Sequence, residues 1–134
     1  MKTLIRLLVS VIVLFIFLIV AFFIFFSRIG KAAQNYVGDF KPDVKKLADG
    51  KYIGSFMYIN ERISSEVTFE IKDSSLWLIN FDKLYGSPVL GAQQKVIDRI
   101  DSLKNLDFDA VSGATVTSMF AKAAIKNAIE NGPQ

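Results

Sequence analysis

From Leu7 to Phe26, nineteen of twenty residues are apolar, Ser10 being the exception. At about 1.5 Å of rise per residue, a helix of this length covers the roughly 30 Å hydrocarbon core of a bilayer. The run therefore reads as a single membrane-spanning helix. A cleaved secretory signal has an apolar region of about 7 to 15 residues followed by a small-x-small site. Ala21-Phe22-Phe23 does not fit that pattern, although Ala32-Ala33 offers a late one. The chain has no cysteine, which excludes a lipid-modified amino terminus.

With residues 1–27 assigned to the anchor, 134 residues leave room for one small domain. Residues 28–48 lack sustained periodicity and hold Gly30, Gly38 and Pro42 among polar residues, so they read as a tether with one helical turn. Residues 49–134 form the domain. Neither Cys nor His occurs anywhere. That excludes disulfides, the usual zinc ligand sets, a thiolate or imidazole nucleophile and a histidine-ligated haem.

Charge is divided unevenly. Residues 1–48 hold seven Lys/Arg against two Asp/Glu, a net of +5, and residues 49–134 hold nine against eleven, a net of −2. Nucleic-acid binders need their cations on the binding domain, so no nucleic-acid partner is expected here. The cations flanking the apolar run slightly favour a cytoplasmic domain.

Within the domain, Tyr52 to Ile59 is aromatic and β-branched, and Glu66–Lys72 alternates with period two, which puts Val67, Phe69 and Ile71 on one buried face. Asp73-Ser74-Ser75 reads as a turn before a third strand over Leu76–Phe81, and a loop with Gly86, Pro88 and Gly91 follows. The period then changes. Val96, Ile97, Ile100 and Leu103 share one helix face, and a second helix after Thr117-Ser118 carries the stripe Phe120, Ala121, Ala124, Ile125 and Ala128. Strands first and helices later predict an α+β fold, a small antiparallel sheet with helices packed on one face.

Between the two helices lies Asp107–Ser118, where small residues and hydroxyls concentrate. Gly113 permits a positive φ or a close approach, Ala114 adds no bulk, and the free amides of the following helix start suit a phosphate. A plainer reading makes Thr117 or Ser118 an ordinary N-cap and Ser112-Gly113 an ordinary turn. That reading leaves Ser112-Gly113-Ala114-Thr115 without a role.

Asp109-Ala110-Val111-Ser112-Gly113-Ala114-Thr115-Val116-Thr117-Ser118 resembles the Asp-x-x-Ser/Thr-Gly-Ala-Thr pattern of FMN-binding domains of the RnfG/NqrC type. Asp49-Gly50-Lys51-Tyr52-Ile53-Gly54 is similar to the segment that opens that family's first strand. The resemblance implies FMN linked covalently through its phosphate to the Thr115 hydroxyl, a phosphothreonine-type ester. The resemblance also implies a separate flavin transferase that makes the bond, taking FMN from FAD with magnesium. It implies Ser112, Gly113 and Ala114 as both recognition sequence and phosphate cradle, with Val116, Thr117 and Ser118 beside them. Asp109 would serve the modification step or the loop geometry. Tyr52 and Gly54 enter as cofactor contacts only through the family motif, and Trp77, Tyr85, Met119 and Phe120 are further candidates to line the ring.

The resemblance implies an electron carrier rather than a stand-alone enzyme, exchanging electrons with redox partner proteins or a quinone. It also implies an extracytoplasmic domain, against the charge bias. The polar stretch Asn60–Ser64 departs from the glycine-rich hairpin of many relatives, and the chain is shorter than the respiratory-complex subunits. The alternative is a sensory module that holds FMN or another phosphate ligand reversibly. A third reading is an interaction protein whose loop only caps a helix.

Overall fold

In the computed structural model, which describes residues 1–87 and 90–134, one unbroken helix α1 covers Lys2–Val37. Its apolar stretch is exposed all round, with Leu7 at 64% and Phe17 at 67% accessibility. A surface so uniformly apolar has no partner within the chain, and the helix has the length and composition of a membrane span or signal sequence.

Past Phe26 the structure departs from the sequence expectation, because Ser27–Val37 continues the helix where a tether is predicted from residue 28. Ile29, Ala33 and Val37 recur every fourth residue on one face, and all three are buried. Helix α1 thus becomes part of the domain before it ends at Gly38, whose φ of 53° only glycine adopts readily. A short 3-10 turn, Val44–Lys46, leads into the sheet.

Three antiparallel strands lie in the order β1 (Gly50–Tyr58), β2 (Asn60–Lys72) and β3 (Ser75–Lys83). Register follows the period-two pattern: Tyr52 pairs with Phe69 and Phe69 with Ile79, while Gly54 pairs with Val67 and Val67 with Phe81. These rows face the helices. Tyr52 and Phe69 stack with ring centroids 5.0 Å apart. Strand β2 begins earlier than the alternation suggests, since Ser64 and Ser65 pair with Met57 and Phe56 across a hairpin that turns at Ile59. Asp73 and Ser74 both take positive φ in the second hairpin, and the Asp49 carboxylate accepts the Asp73 N–H.

Helices α2 (Ala92–Leu103) and α3 (Thr115–Asn131) follow. Val96 and Ile100 are buried as the helix face predicts, whereas Leu103 is exposed. Pro88 lies outside the described residues. Helix α3 is covered on two sides: Ala121, Ala124, Ile125 and Ala128 meet the sheet core, and Phe120 and Ala123 meet Ile29, Ala33 and Val37 of α1. Burial on both sides explains its alanine content, because only small side chains let a helix approach two neighbours closely. At the centre of this contact a Cβ on Gly54 would lie 2.5 Å from the Ala124 carbonyl oxygen and 2.6 Å from Ala128 Cα.

Candidate functional site

Helix α3 starts at Thr115, two residues before the predicted Thr117-Ser118 cap, and its N-cap is Ala114, with no side-chain hydrogen bond to the helix start. The Ser118 hydroxyl is spent inside the loop. It donates to the Ala114 carbonyl at 2.7 Å and accepts the Val111 N–H at 3.0 Å, while the Ala114 N–H reaches the Val111 carbonyl at 2.9 Å. Gly113 closes this turn with a φ of 78°. Helix geometry leaves the amides of Thr115, Val116 and Thr117 without an intrahelical acceptor, and no side chain caps them among the described residues. Alanine in place of a capping residue forgoes about 1 kcal/mol, and the open amides and helix dipole favour an anion.

Beside this helix start lies a cleft of about 400 Å³, within the range of cofactor sites. Gly113, Ala114, Thr115, Val116 and Thr117 form one wall, and Tyr85, Gly86, Ser87 and Leu90 from the β3–α2 connection form the other, with Ala92 and Phe26 completing it. The connection is pinned: the Gln93 amide donates to the carbonyls of Leu84 and Gly86, and the Tyr85 N–H donates to Ser65 Oγ. Tyr85 leans on Phe120 with centroids 4.9 Å apart. A Cβ on Gly86 would collide with Thr117 Oγ1, so the second wall presses directly on the first turn of α3.

One cation reaches the loop from outside it. Lys95 Nζ stands 3.3 Å from where a Cβ of Gly113 would be, and no carboxylate pairs with it among the described residues. The loop's own sequence holds no Lys or Arg. The fold supplies the charge from the first turn of α2.

Of the residues singled out from the sequence, Gly113, Ala114, Thr115, Val116 and Thr117 come together at the cleft. Thr115 is exposed there, and Thr117 is buried beneath it. Ser112 and Asp109 are exposed on the loop outside the lining, and Ser118 lies buried as the loop's internal staple. Tyr52 and Gly54 are not brought to the cleft. Tyr52 is a core residue stacked on Phe69, its hydroxyl donating to the Ala48 carbonyl, and Gly54 is the crossing point of α3 over β1. Burial, then the nearby Asp49 charge, pushes the Tyr52 phenol above its ordinary value.

Among the further aromatic candidates only Tyr85 lines the cleft. Trp77 is 68% exposed on the opposite sheet face with Lys72 Nζ over its ring, while Phe120 and Met119 belong to the contact with α1. Sequence reasoning missed Phe26, Gly86, Ser87, Leu90 and Lys95. Phe26 carries no signal separating it from its lipid-like neighbours, and Lys95 sits on the wet face of an amphipathic helix.

These features define a small α+β domain that offers an open helix start and an exposed threonine at a cleft with apolar and aromatic walls. A phosphate fits the amides and Lys95, and a flat aromatic ring fits the walls. The family model for the FMN-binding domain matches residues 42–130, and the chain belongs to that family. The match takes in the sheet, α2, the loop and nearly all of α3. No curated protein and no solved structure matches the chain.

Proposed function

We propose that this chain is a membrane-anchored electron-transfer flavoprotein domain carrying FMN as a phosphoester on Thr115 Oγ1. The observation that carries the reading is the exposed Thr115 hydroxyl at the first position of an uncapped helix, on the edge of the cleft. Bound there, FMN supplies one- and two-electron redox chemistry that no side chain of this composition offers.

The chain's own residues attach and orient. A flavin transferase with magnesium joins Thr115 Oγ1 to the FMN phosphorus of FAD; the phosphoanhydride bond breaks, AMP leaves, and the hydroxyl proton is released. The diester would keep one negative charge, and the open amides at the start of α3, with the Lys95 ammonium beside Gly113, are the groups that would hold it. Tyr85, Leu90 and Val116 line the cleft and would give the ring apolar and aromatic surroundings. Asp109, exposed and outside the lining, is left for recognition by the transferase.

The anchor is retained in this reading because Ile29 and Ala33 are fully buried in the domain, and cleavage near Ala32-Ala33 would strip Ile29 from Phe120 and open the cleft at Phe26. Flavin attachment outside the cytoplasm places the domain there. The test is the intact mass and denaturing-gel fluorescence of the chain coexpressed with a flavin transferase. A fluorescent band and a mass increase of FMN less one water are expected, both lost in Thr115→Ala. A dark wild-type band, or yellow cofactor released on denaturation, overturns the covalent assignment.

A further inference from the structure

Helix α3 is flanked by two elements that together bring the β1–β2 hairpin to the foot of the apolar helix. Strand β1 runs antiparallel to it: the Asn131 side-chain amide donates to the Ile53 carbonyl, Asn127 Oδ1 accepts the Ser55 N–H, and the Phe56 ring meets Phe120 with centroids 5.2 Å apart. Helix α1 runs parallel to it. Gly30 lies beside Val116 near the start of α3, and further along the Tyr36 hydroxyl donates to Glu130 near its end. From Phe56 to the hairpin turn at Ile59 the strand advances roughly 10 Å, whereas α3 spans only roughly 8 Å from Phe120 back to Thr115. The turn therefore passes the start of α3 and comes level with the stretch of α1 between Phe26 and Gly30. Tyr58 and Ile63 agree with this level, for both pack in one cluster with Ile29.

At that level the apolar segment of α1 ends, and the hairpin presents side chains of the same kind. Ile59 is 68% exposed and Met57 58% exposed. Ile59 also has a φ of 69°. Hairpin turns fill such a position with Gly, Asn or Asp, and a β-branched residue there is strained. Asn60, a residue suited to the position, stands next to it. The chain thus holds a large apolar side chain outward at a point where both water and backbone preference disfavour it. Arg28 and Lys31 on α1, Arg62 on β2 and Lys83 on β3 are exposed near the same level, and Lys83 Nζ donates to the carbonyl of Glu61, whose own carboxylate is the acidic group of the tip. Apolar side chains bordered by cations are what the boundary between acyl chains and phosphate headgroups accepts.

We propose that the β1–β2 hairpin is a second membrane contact, with Ile59 and Met57 seated in the headgroup–acyl boundary of the bilayer that α1 spans and Arg62 and Lys83 at the level of the lipid phosphates. The proposal rests on the reading of α1 as a retained anchor. A lone spanning helix leaves its rotation and tilt to whatever packs beside it. A second contact, on a domain into which α1 runs unbroken, fixes which face of that domain looks at the bilayer.

The chain contains no cysteine, so a single cysteine can be placed in the full chain without other changes. Ile59→Cys and, at the opposite end of the sheet, Ser75→Cys are each labelled with an environment-sensitive fluorophore and reconstituted in vesicles of phosphatidylcholine and phosphatidylglycerol. Release of the chain from the vesicles by alkaline carbonate defeats the anchor reading; with the chain retained, each later result bears on the hairpin alone. The Ile59→Cys label is expected to emit at shorter wavelength than the Ser75→Cys label and to be quenched by aqueous iodide at least threefold less. Lipids carrying a nitroxide at the headgroup are expected to quench it at least twofold more than they quench the Ser75→Cys label.

Met57→Cys, on the strand before the turn, is expected to show the same contrast and serves where a cysteine at the turn itself unsettles the hairpin. Iodide quenching of the Ile59→Cys and Met57→Cys labels equal to that of the Ser75→Cys label overturns the proposal. So does shielding that is absent in pure lipid vesicles and appears only when membrane proteins are added, which would make the hairpin's partner a protein.

Discussion

Gly86→Ala probes whether the two walls of the cleft are held against each other as the structure has them. Gly86 does not have a positive φ, so its need for glycine comes from space alone. The new methyl would collide with Thr117 Oγ1 and stand 3.1 Å from Thr117 Cγ2 and 3.3 Å from Ala92 Cβ. Thr117 is buried in the first turn of α3, so neither neighbour yields by a simple rotamer change. Overpacking of this kind costs about 1–3 kcal/mol. Taking about 2 kcal/mol, a domain of this size loses roughly 8–16 °C in melting temperature. The connection carrying Tyr85 and Ser87 would move off the helix start, and flavin attachment should slow with it. Thr117→Ala removes both colliding atoms and should rescue the glycine substitution, giving a coupling of about 1–2 kcal/mol in a double-mutant cycle. Thermal and urea unfolding of the full chain in detergent, followed by circular dichroism, measure the cycle, and gel fluorescence follows the flavin. Additivity within about 0.5 kcal/mol would refute the packed-wall geometry.

Gly54→Ala should be harsher, at least about 3 kcal/mol, because the obstructing atoms belong to the α3 backbone; protease resistance of the domain reports it. Lys95→Gln should slow flavin attachment a few-fold at low ionic strength, and 1 M salt should shrink the difference, since the ammonium is exposed and the Debye length falls to about 3 Å. An identical rate at low salt removes Lys95 from the site. The phenols of Tyr52 and Tyr36 are both raised above the ordinary tyrosine value of about 10, chiefly by burial. Their neutral forms therefore stabilise the fold below about pH 10, and this contribution is lost as pH rises through the folded values. Unfolding midpoints should fall above pH 10, and Tyr52→Phe should flatten the fall while losing about 1 kcal/mol at neutral pH with the Ala48 hydrogen bond.

What the sequence reveals about this fold tracks how many faces each element buries. Strand β2 buries one face, so Val67, Phe69 and Ile71 announce themselves by alternation. Helix α2 likewise shows Val96 and Ile100. The end of α1 hides its role, because Ile29, Ala33 and Val37 form a narrow stripe trailing a far stronger apolar run. Trp77 is misleading for a different reason. Glu70 pairs with Leu78 and Ile71 with Leu76, so Trp77 is the unpaired residue of a bulge, and its parity along the strand says nothing about its face. The Tyr52-to-Gly54 segment is legible as a motif, yet its residues serve the crossing of α3 over the sheet rather than the cleft.

At the start of α3 local preference and global structure part company, and that conflict falls beside the cleft. Ser112, Thr115, Thr117 and Ser118 all stand within four residues of Ala114, so a hydroxyl for the cap position was available nearby in the chain. Instead Ser118 turns back to fix the loop, Thr115 faces outward, and alanine takes the cap. Elsewhere among the described residues no buried side-chain polar atom lacks a partner. With alanine at its cap, the start of α3 forgoes about 1 kcal/mol of stability. Burial of α3 on both sides offsets that loss easily, since truncating Phe120 alone would cost about 3–5 kcal/mol. The helix is therefore held by its flanks and not by its end, which leaves the end free to receive a phosphate.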